Sequence, residues 1–413
     1  MARFWRKHHI RLLQGGAELF PAMRRAIDAA RLEVRLETYI FHPDSAGQEM
    51  SDALARAAAR GVQVYLTVDG VGTPQLPAQW QQRFHDCGVH WHIFLPLTGL
   101  GVVIPSRWRR LHRKLCVVDG QLLFCGGINV LHDLDDPVFG RLSEPRLDFA
   151  VQVQGPLVQD ALEAMTRLWW NMTVTSGARE HDFAAVWRGL QERWLSVLAE
   201  HRHPPAAPLP SSWPAAAALP GRPARAALVL RDNLRNRRRI ERAYLRAIGA
   251  ARREIIIANA YFLPGARLRK ALVLAARRGV RVRLLLQGRY EYFLQYHAVR
   301  PVYGTLLDAG IEIHEYAASF LHAKVAVVDA RWATVGSSNL DPLSLLLARE
   351  ANVVVLDRNF AALLLERLER AIGQGGHRVD AAAYRSRSWG QRLREAVALA
   401  LVRAGLFLIG RRY

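Results

Sequence analysis

Two stretches of this 413-residue chain follow one pattern. Residues 112–129 read HRKLCVVDGQLLFCGGIN, and residues 322–339 read HAKVAVVDARWATVGSSN. Each sets His, Lys and Asp at the same spacing and closes on two small residues, one more residue and Asn. The likeness extends outward in the same order. AIDAARLEVRLETYIF (26–41) matches AIGAARREIIIANAYF (247–262), ALARAAARGVQVYLTVDG matches ALVLAARRGVRVRLLLQG, and FHDCGVHWHIF matches LLDAGIEIHEY. A sequence duplicated on this scale predicts two similar units. Within each, Ala-rich helical runs stop at Gly61 and Gly279, the residue type that ends helices. The runs that follow, VQVYLTV and VRVRLLL, are short and β-branched, as strands are.

Alternating helices and strands predict an α/β fold of two pseudo-twofold-related domains, each a mixed β-sheet flanked by helices. The Pro- and Ala-rich stretch near the midpoint reads as a connector. The expected organisation is a first domain over 1–200, a linker over 201–226, a second domain over 227–384 and a basic, apolar C-terminal segment over 385–413.

The duplicated stretch carries the chemistry. On a strand, residues two apart share a face, so His112 and Lys114 point the same way, as do His322 and Lys324. The Asp119-Gly120 turn folds the chain back as a hairpin and returns Asn129 toward His112. The second copy adds Ser337 beside Asn339. Small residues there let a substrate approach the backbone. This set suits a phosphodiester. Lys and Asn can hold the non-bridging oxygens, one imidazole can attack phosphorus and a second can protonate the leaving alkoxide. One copy supplies one imidazole, and two copies supply both roles. The two Lys provide positive charge, so no metal and no cofactor is required. Asp119 and Asp329 can be catalytic or can fix the hairpins, and their turn positions favour the second role.

Composition narrows the partner. The formal net charge is +21, which calls for an anionic partner, either nucleic acid or an anionic membrane face. Nearly all of the basic residues are Arg; the Lys are Lys7, Lys114, Lys270 and Lys324. Two of these four occupy equivalent motif positions, where a compact ammonium is wanted rather than a planar fork. Cys87, Cys116 and Cys125 have no metal-ligand spacing and read as thiols, the last two packed in the core. No secretory signal opens the chain, and no run is long enough to span a bilayer. AVALALVRAGLFLIG (396–410) reads as an interfacial helix or as a helix docked on the core. PLTGLGVVIP ahead of SRWRRLH reads as a membrane-facing loop or a packing lid, and RYEYFLQYH as a groove lining or a packed segment.

His-x-Lys-x4-Asp followed by Gly-Gly/Ser-x-Asn, present twice, resembles the motif of the phospholipase D superfamily. Within it, LHRK, GGIN, RREIIIANAYFLPG, HAKVAVVD, WATVGSSNLDPLSL and EANVVV are similar to the bacterial cardiolipin synthases, the B type in particular. The resemblance covers nearly the whole chain. It implies phosphatidyl transfer between two phosphatidylglycerol molecules through a phosphohistidine, giving cardiolipin and glycerol. His112 would attack first, and His322 would act as acid and then as base. It also implies a downstream acid that orients each His: Glu350 fits in the second half, and Asp148, at a longer spacing, is its counterpart in the first. The implied setting is the cytoplasmic face of the bacterial inner membrane, with peripheral attachment to anionic phospholipid, no nucleic-acid partner and no obligate protein partner. A hydrolase using water, a transferase using another donor or alcohol and, last, a nuclease share the motif.

Overall fold

The computed structural model describes residues 3–96, 108–180, 219, 222–232, 236–289, 293–341 and 348–408. The first half runs β1 (Trp5–Gln14), α1 (Gly15–Asp28), β2 (Glu33–Thr38), α2 (Ser45–Ala59), β3 (Gln63–Asp69), α3 (Ala78–Cys87) and β4 (Val89–Phe94). It continues through β5 (Arg110–Leu111), β6 (Lys114–Val118), β7 (Leu122–Gly126), β8 (Asp135–Asp136), β9 (Gly140–Arg141), β10 (Phe149–Gln154) and α4 (Leu157–Glu180). The second half runs β11 (Ala224–Arg231), α5 (Arg239–Ala250), β12 (Glu254–Asn259), α6 (Ala266–Arg277), β13 (Arg281–Gln287), α7 (Phe293–Asp308) and β14 (Glu312–Tyr316). It closes with β15 (Lys324–Val328), β16 (Trp332–Gly336), β17 (Ala348–Leu356), α8 (Arg358–Gly375), β18 (Gly376–Arg378), α9 (Ala381–Arg385) and α10 (Trp389–Leu408).

The strand order is β18-β14-β13-β12-β15-β16-β17-β11-β1-β10-β7-β6-β2-β3-β4. Outward from the β11–β1 pair, equivalent strands follow in the same order on both sides, as an approximate twofold requires. β2–β3–β4 and β12–β13–β14 are parallel, while the hairpins β6–β7 and β15–β16 are antiparallel. Each half is therefore a mixed sheet with helices, as expected.

Side-chain alternation on the hairpins divides the core. Leu115, Val117, Leu123 and Cys125 join Val325, Val327, Ala333 and Val335 in one buried cluster shared by the two halves. Cys116, Val118, Leu122 and Phe124 face the helices of the first half instead, and Ala326 and Val328 those of the second. Both faces are buried, which is why these strands read as unbroken apolar runs. Burial also pushes the Cys116 and Cys125 thiols up to about 12, so both are inert packing groups.

Several expectations change. β1 and β11, at the centre of the sheet, are strands that the sequence reading did not assign, and β11 begins at Ala224, inside the expected 201–226 linker. The rest of that linker apart from Leu219 and residues 222 and 223, the loop at 97–107 and residues 290–292 lie outside the described residues. The C-terminal segment is helical as α10 and packs on α7, while Trp389, Leu393, Val397 and Leu401 remain exposed. Among the described residues no helix is long and apolar enough to cross a membrane.

The turn aspartates are tied to the backbone. Asp119 receives the N–H groups of Arg31, Leu32 and Glu33 at 3.0, 2.8 and 2.9 Å. Asp329 receives those of Arg252, Arg253 and Glu254 at 2.9, 2.8 and 3.0 Å. Both residues have φ of 51°, and Gly120 (64°) and Ala330 (47°) complete left-handed two-residue turns. Asp329→Ala should lose these three charge-assisted hydrogen bonds and roughly 2–4 kcal/mol of stability, with little change in kcat per folded molecule. Denaturant unfolding beside an activity assay checks both parts.

Candidate active site

The hairpins bring the two motifs together at one cavity of about 690 Å³. His112, Asn129 and Asp148 line it from the first half, and His322 and Asn339 from the second. Both histidines stand just ahead of their strands rather than within them, because β6 and β15 begin at Lys114 and Lys324. Neighbouring chain fixes their backbones: His112 N–H donates to Arg349 O at 3.0 Å, and His322 N–H to Leu147 O at 2.9 Å. In each case the contact is with the opposite half.

The carboxylates also cross over. Glu350 receives the Nδ1–H of His112 at 3.0 and 3.2 Å. Asp148 receives that of His322 at 2.7 Å. The two acids expected from the resemblance are thus present, but each holds the imidazole of the other half. A carboxylate accepts only, so the proton sits on Nδ1 and Nε2 is left with its lone pair.

Each half also secures its own acid. Ser337 donates its hydroxyl to Glu350. At the equivalent place Gly127 leaves the space that Asp148 fills, since a Cβ there would lie 2.4 Å from the carboxylate. The small-residue pair in the motif therefore serves the acids as well as the substrate path.

Lys114 Nζ donates to His112 O at 2.7 Å, and Lys324 Nζ to His322 O, each bracing the backbone of its own histidine. Lys324 lies 3.9 Å from Asp148. Burial in company with another ammonium pushes Lys114 down to about 7. Burial, with Lys324 and Lys114 close by, holds His322 well below the ordinary imidazole value. Burial lowers His112 as well, and Glu350 opposes that shift. Asp148 is raised to about 6, mainly by burial. Both rings are thereby kept neutral, the state a nitrogen nucleophile needs.

Asn129 Oδ1 accepts from Ile40 N–H at 3.2 Å, tying the end of the motif to the strand beside it. Asp119 and Asp329 line no part of the cavity. They sit at the far ends of β6 and β15, so their placement in the catalytic set is corrected to hairpin anchoring. Several cavity residues had no sequence signal strong enough to select them. The Tyr39 ring lies edge-on to His112 at 5.0 Å, and the Lys114 ammonium is 5.4 Å from the Tyr39 ring centre. Arg110, within the Trp- and Arg-rich approach already noted, and Arg146 also line the wall, paired with Asp69 at 3.2 Å and Asp136 at 2.7 Å.

Comparison with known proteins decides the family. Residues 23–133 and 244–372 match the family described as "Cardiolipin synthase, PLD-like domain". The chain belongs to this phospholipase D-like family. Cardiolipin synthase B of Escherichia coli strain K12 is 36% identical over 98% of this chain and 91% of its own length. The protein of the same name from Salmonella typhimurium strain LT2 is 35% identical over the same shares. In fold, the chain is similar to the phosphatidylserine synthase of Haemophilus influenzae Rd KW20, with a TM-score of 0.64 and 14% identity, covering 97% of this chain and 94% of that one. For this phospholipase D-like chain, the matched segments hold His112, His322 and Glu350, while Asp148 follows the first of them.

Proposed function

We propose that the protein joins two phosphatidylglycerol molecules, giving cardiolipin and glycerol. The observation that carries this reading is the pair of neutral imidazoles facing one cavity, each held through Nδ1 by a carboxylate from the opposite half. The whole-length similarity to cardiolipin synthases supports the choice of substrate.

His112 Nε2 attacks the phosphorus of the first lipid, and its ring is the more constrained of the two, held by Glu350 and Tyr39. The bond from phosphorus to the glycerol oxygen breaks, and His322 delivers a proton to that oxygen. The entering phosphodiester is anionic, which offsets part of the ammonium field and favours a proton on His322. Phosphorus is then bound to His112. Neutral His322 next takes the proton from a hydroxyl of the second lipid, whose oxygen bonds to phosphorus as the P–N bond breaks. The developing charge on the non-bridging oxygens is met by Lys114, Lys324, Asn129 and Asn339.

Exposed Val71 and Val138 at the cavity, with Phe139 beside them and a net charge of +21, support peripheral attachment to an anionic bilayer, which we place at the cytoplasmic face of the inner membrane. The deciding experiment incubates the protein with phosphatidylglycerol vesicles and no added divalent metal. Cardiolipin with equimolar glycerol is the expected product. Phosphatidic acid would assign a hydrolase, and DNA cleavage with no lipid product a nuclease.

The pH profile follows from the shifted groups. Toward acid, kcat/KM falls as the nucleophilic imidazole takes up a proton, below its ordinary value because His112 is lowered. Toward base, it falls as His322, the acid of the first step, gives up its proton and as the Lys114 ammonium loses its own at about 7. The expected profile is a bell whose optimum lies below about 7, with limbs that report apparent values of the coupled site. Initial rates between about pH 5 and 9 test this. A flat profile above neutrality would show that neither the Lys114 proton nor the His322 proton is needed for the rate.

A further inference from the structure

A second cavity, of about 840 Å³, runs along α5. It shares no lining residue with the catalytic cavity. Arg239, Arg242 and Arg246 lie three and four apart on α5 and line one wall. Arg237 and Arg238 stand just ahead of the helix, and Arg331 reaches the cavity from the β15–β16 turn. Below the arginines the lining turns apolar, with half-buried Phe4, Trp332 and Leu356 over the buried Val229 and Val354.

The charge of Arg238, Arg239, Arg242, Arg246 and Arg331 is uncompensated among the described residues. Asp329 is the sole carboxylate among the described lining residues, and its oxygens are occupied by three backbone N–H groups. Among the described residues, no carboxylate pairs with Arg238, Arg239, Arg242, Arg246 or Arg331. The fold does not require this arrangement. In the aligned repeat the counterpart of Arg239 is Glu18, which pairs with Arg367 of α8 at 3.1 Å, and that of Arg242 is Pro21; only Arg246 meets an arginine, Arg25, so the row of three is not repeated. The arginine wall is a property of one half alone.

Its position is equally specific. Arg231, at the end of β11, lies opposite Glu350 in register. β11 therefore ends at the catalytic edge of the sheet, Arg237 and α5 follow it in the chain, and the cavity along α5 reaches the Asp329 turn at the other end of β15.

We infer that this cavity binds an anionic phospholipid distinct from the lipids undergoing transfer, with its phosphate among the arginines and its upper acyl chain against Trp332 and Phe4. A bare phosphate would gain nothing from the apolar floor, and a zwitterionic lipid would leave the arginines without matching charge. The site would hold the protein on anionic membrane independently of turnover.

The test uses the full chain and vesicles of phosphatidylcholine doped with a phosphatidylglycerol that carries a photoactivatable diazirine in its acyl chain. Cross-linked peptides are mapped by mass spectrometry. Adducts on residues around Trp332 and on α5, in addition to any at the catalytic cavity, are expected. The triple variant Arg239→Ser/Arg242→Ser/Arg246→Ser should bind there on the order of a hundredfold more weakly, at about 1 kcal/mol per arginine. Its kcat on soluble short-chain phosphatidylglycerol should be unchanged, which separates this site from the catalytic one. The inference is overturned by adducts confined to the catalytic cavity, by equal labelling with a diazirine phosphatidylcholine, by unchanged α5 labelling in the triple variant, or by full competition from millimolar glycerol phosphate, which would mark a simple phosphate site.

Discussion

Cardiolipin formation should be lost in both His112→Ala and His322→Ala, by a factor on the order of 10⁴ or more, because the two imidazoles work in one sequence of steps. Both side chains border the cavity, so each variant should fold with a circular dichroism spectrum like that of the parent. The two losses have different causes, and an activated substrate separates them. A 4-nitrophenyl phosphodiester has a leaving group that needs no protonation. With it, His322→Ala should still release one equivalent of nitrophenolate in a burst and then stall. His112→Ala should show no burst. The opposite pattern would exchange the roles, and full activity on phosphatidylglycerol in either variant would refute a shared site.

The carboxylates give the second large effect, and a less intuitive one. Because Glu350 holds His112 across the molecular halves, Glu350→Gln should slow the burst itself. Asp148→Asn should leave the burst near normal and slow turnover, since it disturbs His322. Losses of about 10²–10⁴ are expected for each, the cost of misplacing the proton on a catalytic imidazole. If each acid served the histidine of its own repeat, the two phenotypes would be reversed. Burst and steady-state rates from one stopped-flow trace decide between these outcomes.

Much of the fold was legible because duplication is written in the sequence itself. Gly61 and Gly279 marked helix ends, and both adopt φ of 86° there. The Asp119-Gly120 pair marked a hairpin, and local backbone geometry is what such residues report. The central strands β1 and β11 were less visible. WRKHHIRLLQ is basic and lacks strict alternation, so its strand character comes from pairing with β10 and β11 rather than from its own pattern. The same holds for the start of β11, which lies in Ala-rich sequence resembling the connector before it.

The sequence alone determined that the chain has two alike halves, that each presents one His and one Lys at a hairpin, and that two such sets suit a phosphodiester. Lys114, in a chain that otherwise uses Arg, stood out on composition alone. Only the tertiary structure decided which acid serves which base. His322 and Asp148 are 174 residues apart, and His112 and Glu350 are 238 apart. Spacing along a chain governs contacts within a turn or a strand pair. Contacts across a pseudo-twofold axis exist only once the two sheets share a core, and it is the packing of Leu115, Val117, Val325 and Val327 into one cluster that carries each carboxylate to the opposite imidazole.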